Sequence, residues 1–141
     1  MKILVIDGQG GAIGSQMIKM LKEEIPKAEI IAVGTNAIAT GNMLKAGCTQ
    51  AATGENAVIV QSRSADVIVG PIGIVVADAL LGEVSPAMAV AVGQSSATKV
   101  LIPLNKCETL IAGISNVATT KLLSDAVSKV KNVLNLSEAA I

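Results

Sequence analysis

Met1-Lys-Ile-Leu-Val-Ile-Asp-Gly-Gln-Gly-Gly-Ala-Ile-Gly-Ser15 opens the chain and decides how the rest is read. Lys2 to Ile6 has the aliphatic, β-branched content of a buried strand. Gly8 to Gly14 then supply a tight turn. Beyond it Ile13, Met17, Met20, Leu21 and Ile25 recur at helical spacing, with Lys19, Lys22, Glu23 and Glu24 on the opposite face. A strand, a glycine turn and a helix in that order bring several backbone N–H groups and the positive end of a helix dipole to one point. Such a point suits a phosphate or another anion.

The same alternation continues outward. Pro26 stops the first helix, and Glu29 to Val33 is a second apolar strand ending in Gly34-Thr35-Asn36. Ala37 to Lys45 reads as a helix closed by Gly47, with Gly41 a weak point inside it. Thr49 to Thr53 is a short third strand, ended by Gly54-Glu55-Asn56. The Val-Ile-Val centre of Asn56 to Arg63 favours a strand, but a parallel sheet needs a crossover before the next strand, Asp66 to Val69, so a helix is expected. Ile72 to Leu81 reads as a buried helix closed by Gly82. Ser85-Pro86 is a cap and first-turn pair for another, running to about Val92. Lys99 to Leu104 is the fifth strand, Thr109 to Ile114 a candidate sixth, and Thr120 to Leu134 a closing helix with Leu123, Ala126, Val127, Val130 and Leu134 on one face. The expected architecture is α/β: a doubly wound, Rossmann-like, mostly parallel sheet of five or six strands, in a single three-layer domain over 1–136 with a loose tail at 137–141.

Composition narrows the function. Eleven basic and eleven acidic residues balance, with no basic cluster, so nucleic acid is not an expected partner. Phe, Tyr, Trp and His are all absent. That removes a histidine base, a Ser-His-Asp triad, an imidazole metal ligand and an aromatic stacking platform. Cys48 and Cys107 are too few for a zinc site and read as reduced thiols. The longest uncharged apolar run, Val67 to Ala77, is too short to cross a bilayer and contains Gly70, Pro71 and Gly73. With no leader pattern in view, a cytoplasmic protein is expected. An apolar content of 51% and a mean hydropathy of +0.62 then point to a subunit interface, hence a homo-oligomer.

In sheets of this kind ligands bind beyond the carboxyl ends of the strands. Each expected strand ends in small, polar or permissive residues. These are Asp7, Gly8, Gln9, Gly10 and Gly11, then Gly34, Thr35 and Asn36, then Glu55 and Asn56, then Gly70, Pro71 and Gly73, and finally Asn105, Lys106 and Cys107. Gly8 to Ser15, with Ala12, Ile13 and Gly14 opening the helix, would hold a phosphate, and the remainder would line the crevice. Turns of this kind also need glycine and asparagine when they bind nothing.

The spacing of Gly8, Gly11 and Gly14 also occurs in NAD- and NADP-binding domains. Two features stand against a dinucleotide. No acid follows the second strand to hold a ribose hydroxyl, and Asp7 would repel a pyrophosphate. Asp7 itself either holds Mg²⁺, acts as a base, or caps the turn by accepting N–H bonds. Glu55 and Asn56 cap their helix or reach a ligand. Asp78, in an apolar helix, would pair with Lys99 or Lys106 or face an interface. Lys106 would bind phosphate, and Cys107 would be either a nucleophile or an inert thiol; Cys48 reads as packing.

Four segments, 2–11, 31–36, 53–60 and 65–73, are similar to a small bacterial family best known from anaerobic Gram-positive bacteria and classed as a domain of unknown function. The resemblance covers nearly all of 1–136 and implies no activity. A looser resemblance of the first 36 or so residues is to the nucleotide-binding half of short-chain dehydrogenases, whose catalytic tyrosine has no counterpart here. Three functions are therefore in play: a binder of a nucleotide or other phosphorylated small molecule, an enzyme using Asp7 or Glu55 as acid and base, and a structural or regulatory homo-oligomer without a small ligand.

Overall fold

A computed structural model describes residues 1–104 and 109–139 of the chain. Lys106 and Cys107, singled out above, lie outside the described residues. Five parallel strands, β1 (Lys2–Asp7), β2 (Glu29–Gly34), β3 (Gln50–Thr53), β4 (Val67–Pro71) and β5 (Thr98–Ile102), form one sheet in the order β3-β2-β1-β4-β5. Helices α1 (Ala12–Glu24), α2 (Ala37–Ala46), α3 (Glu55–Ser62), α4 (Pro86–Gln94) and α5 (Thr119–Ala139) complete the doubly wound, Rossmann-like α/β fold.

β1 is the middle strand of the five, paired with β2 on one edge and β4 on the other. Ile3 lies opposite Ile30 of β2 and Val67 of β4, and Asp7 lies opposite Gly34. Alternate side chains of β1 point to opposite faces. Ile3 and Val5 join Met17, Leu21, Met43, Val127 and Val130 in a core beneath α1, α2 and α5. Leu4 and Ile6 join Val58, Ile74, Met88 and Val92 beneath α3 and α4. Three layers follow from that alternation. Asn36 caps α2 by accepting the Ala39 N–H at 2.9 Å, and Ser85 caps α4 by accepting that of Met88 at 3.2 Å, with Pro86 at the first turn. The segment expected to cross over at 56–63 is helical from Glu55 to Ser62, with Arg63 just past its end.

Three expectations need correction. Ile72 to Leu81 is not a helix. A single 3₁₀ turn, Ile72–Val75, is followed by an irregular segment in which Asp78, Leu80 and Leu81 adopt left-handed backbone, with φ of 67°, 56° and 57°. β-branched Ile74, Val75 and Val76 disfavour helix, and the irregular path buries Ala79 and Leu80, each 3% exposed, in the core. There is also no sixth strand at Thr109–Ile114, which is irregular and turns at Gly113. Among the described residues β5 pairs only with β4, so its outer edge is left free and Thr109–Ile114 does not join it. α5 runs on through Ala139 rather than stopping near Leu134. Among the described residues no helix is long and apolar enough to cross a membrane.

Gly70 shows how tightly the strand ends are set. A methyl there would overlap the carbonyl oxygen of Ile6, which is fixed in the central strand. Gly70→Ala should lower stability by about 2–3 kcal/mol in urea titration, since neither strand can move aside.

Candidate functional site

β2 lies on one side of β1 and β4 on the other, so the chain reverses its winding between β1 and β4. The crevice expected at such a switch point stands above the carboxyl end of β1. The register places Asp7, Gly34 and Thr53 in one row across that end. It does bring several of the expected residues together, in an arrangement unlike an open phosphate cradle.

Asp7 is 4% exposed and grips the turn that follows it. One carboxylate oxygen accepts the Gly8 N–H and the other that of Gly14, both at 2.8 Å. Gly11, the residue before α1, has no side chain to cap it, so Asp7 performs that task from the strand. Two of the N–H groups expected to face a phosphate are therefore already satisfied. Burial raises the Asp7 carboxyl above its ordinary value; the bonds from Gly14 and Gly8 offset this in part, and the nearby Glu83 charge adds to the rise.

Several glycines of this region answer to internal packing. A Cβ on Gly11, whose φ is 71°, would sit 2.9 Å from the Ala39 backbone, and one on Gly14 would sit 2.6 Å from the Met43 sulfur. Gly10 alone in the turn has open space around a notional Cβ. It borders, with Ala12, a shallow cleft of about 320 Å³ lined also by Ser15, Lys19, Asn42 and Lys45.

The residues that converge are Gln9, Thr35 and Asn36, and they converge on a residue that sequence reasoning missed. One oxygen of Glu83 accepts the Gln9 N–H at 2.9 Å, the Thr35 hydroxyl at 2.7 Å and the Asn36 amide at 2.6 Å. Burial opposes the Glu83 charge, yet the three bonds outweigh it and hold the carboxyl below its ordinary value. The second amide hydrogen of Asn36 goes to the Gln9 carbonyl at 2.9 Å, tying the β1 and β2 turns together. Asn42 does the same for the Gly10 carbonyl at 2.7 Å. The 80–83 segment lies directly over Gly8, where a Cβ would meet Leu80 at 2.9 Å and the Glu83 oxygen at 3.1 Å. Between residues 67 and 98 the only charges are Asp78 and Glu83, and that isolation was the signal available.

The other candidates are placed differently. Glu55 accepts the Ser85 hydroxyl at 2.6 Å, and Asn56 is exposed on α3. Pro71 and Gly73 are buried, and a Cβ on Gly73 would touch Ala79, so they form a floor beneath the 79–80 segment. Asp78 is exposed outside any helix, and Lys99 donates to the Ser95 carbonyl. Cys48 is half-buried beside the core under α1, and burial raises its thiol. Among the described residues no cluster of three or more His, Cys, Asp or Glu could hold a metal ion.

A family model described as a domain of unknown function (DUF3842) matches residues 2–135. The chain has no match among curated proteins. Among solved structures it is similar in outline to a dodecameric FMN-dependent UbiX-like decarboxylase from Escherichia coli O157:H7. That likeness has a TM-score of 0.46 and 15% identity, over 98% of this chain and 94% of that one.

The two carboxyls impose opposite pH dependences. Asp7 titrates in the native state above its unfolded value, so the native state binds the proton more tightly between the two values. Its contribution to stability falls as pH rises through that window. Glu83 titrates below its unfolded value, so its contribution is present above that value and is lost as pH falls through the native one. Relative to Asp7→Asn, the wild type should therefore lose stability as pH rises from acidic towards neutral in urea titrations. A difference that is flat with pH would mean that burial does not control this group.

Proposed function

We propose that this chain, which belongs to the domain-of-unknown-function family DUF3842, binds an anionic small molecule, a nucleotide or another phosphorylated compound, in the crevice above β1 and β2. One observation carries the reading. Donors from two separate strand-to-helix turns, Gln9, Thr35 and Asn36, converge on a single point and hold a carboxylate oxygen there. A phosphate oxygen makes the same demand on a donor set as a carboxylate oxygen does. Lys19 and Lys45, on the cleft beside Gly10, would add positive potential for the rest of such a ligand.

The phosphate-binding role expected of the glycine turn moves, in this reading, to its outer edge at Gln9 and Gly10, because Asp7 already serves the inner N–H groups. Catalysis by Asp7 or Glu55 has weaker support, since both Asp7 oxygens accept N–H bonds and Glu55 is engaged with Ser85. Self-association is part of the proposal: Ile38 is 70% exposed, and Leu81 and Leu110 are 96% and 94% exposed.

Calorimetric and thermal-shift titrations with nucleotides and sugar phosphates should give at least one saturable binder. Thr35→Val removes a single donor at nearly constant volume and should weaken that binder, by less than the roughly tenfold expected for a hydrogen bond to a charged group, because the same hydroxyl also holds Glu83. A panel without any binder overturns the reading.

A further inference from the structure

The hydrogens of the donor set are fully used. Gln9 has one backbone N–H, and Glu83 takes it. Thr35 has one hydroxyl hydrogen, also given to Glu83. The two amide hydrogens of Asn36 go to the Gln9 carbonyl and to Glu83. A second anion therefore has no donor left at this point while Glu83 is in place. We infer that Glu83 is an internal occupant that gates the subsite: its carboxylate must leave Gln9, Thr35 and Asn36 before a phosphate takes them, so that ligand and Glu83 exclude one another. This deepens the binding reading above and rests on it.

The segment that carries Glu83 is built to hold the carboxylate there and to let it go. Its backbone is bonded to itself: Asp78 N–H to the Val84 carbonyl at 2.7 Å, Val84 N–H to that of Ala79 at 3.1 Å, and Gly82 N–H to that of Asp78 at 3.0 Å. Ala79, Leu80 and Val84 are buried and anchor it in the core beneath α3 and α4. Between these anchors Leu81 and Gly82 form an exposed tip, and Glu83 itself is half-buried. The carboxylate can thus swing into solvent by side-chain rotation while the backbone stays in place. Left-handed geometry at Asp78, Leu80 and Leu81 is disfavoured for side-chain-bearing residues and persists only where the surroundings impose it. Here it directs Glu83 back over Gly8.

Affinity is reduced by the fraction of molecules whose site is occupied internally. With inorganic phosphate and ribose 5-phosphate as probes, calorimetry should show at least roughly tenfold tighter binding to Glu83→Ala than to the wild type, for a gate closed in about nine molecules of ten. Glu83→Gln, which keeps the length but loses the charge, should fall between them and serves as the second variant should the alanine form fold poorly by circular dichroism. Equal affinity in the wild type and a folded variant overturns the gate and leaves the binding reading standing. Weaker binding in the variants makes Glu83 a contact to the ligand and also overturns the gate. No saturable binding by any of the three proteins overturns the binding reading and the gate with it.

Discussion

The turn at the carboxyl end of the central strand depends on one carboxylate bridging two amides. Asp7 holds the N–H of Gly8 with one oxygen and that of Gly14 with the other, at the boundary between the central strand and α1. A charge buried this deeply would ordinarily be costly. It is tolerated because it sits at the positive end of a helix and satisfies one first-turn donor of that helix, at Gly14, and one donor of the turn, at Gly8. The bridge fixes where α1 begins and how the turn folds back, with the Gly11 N–H reaching the Gly8 carbonyl at 2.9 Å. The turn is then close enough to α2 that Gly11 and Gly14 have no room for a side chain.

A second carboxylate works under the opposite regime. Asp7 is enclosed, and burial dominates its titration, whereas Glu83 is half in solvent, and hydrogen bonds dominate. The first is a structural anion with no route out short of unfolding the turn. The second is held by three donors that belong to other elements, through a side chain whose own backbone is anchored elsewhere. Ser85 and Glu55 add a further link between the segment after Glu83 and α3, so the roof of the crevice is tied on two sides.

The fold was legible in the sequence because its strands are short apolar runs separated by helices with recognisable caps. Asn36, Gly47 and Ser85-Pro86 each do what their residue type suggests. Legibility failed at 72–84, where apolar composition suits a buried helix and a buried irregular segment equally. Which of the two forms is decided by the tertiary demand that Ala79 and Leu80 cover the crevice floor. Thr109–Ile114 failed for a similar reason: its composition suits a strand, but it gains no place in the sheet. In the site, Thr35 and Asn36 were legible as strand-end polar residues. Their partner was not, because the contact between Asn36 and Glu83 joins positions 47 apart through a segment whose path the local sequence does not determine.

Charge bookkeeping limits how such a crevice can take an anion. With both carboxylates in place, an incoming phosphate would join two negative charges in a partly buried region, and like-charge approach there is penalised more than in bulk solvent. Asp7 cannot leave without stranding the buried Gly8 and Gly14 amides unsatisfied, which is itself costly. In the proposed exchange Glu83 leaves instead, which would free three donors while removing one negative charge from the same place. Exchange of one anion for another keeps every donor satisfied and nearly preserves the local charge, which simple addition does not. In the proposed exchange, the carboxylate that occupies the donors of Gln9, Thr35 and Asn36 would therefore also make room, electrostatically, for a ligand of like charge.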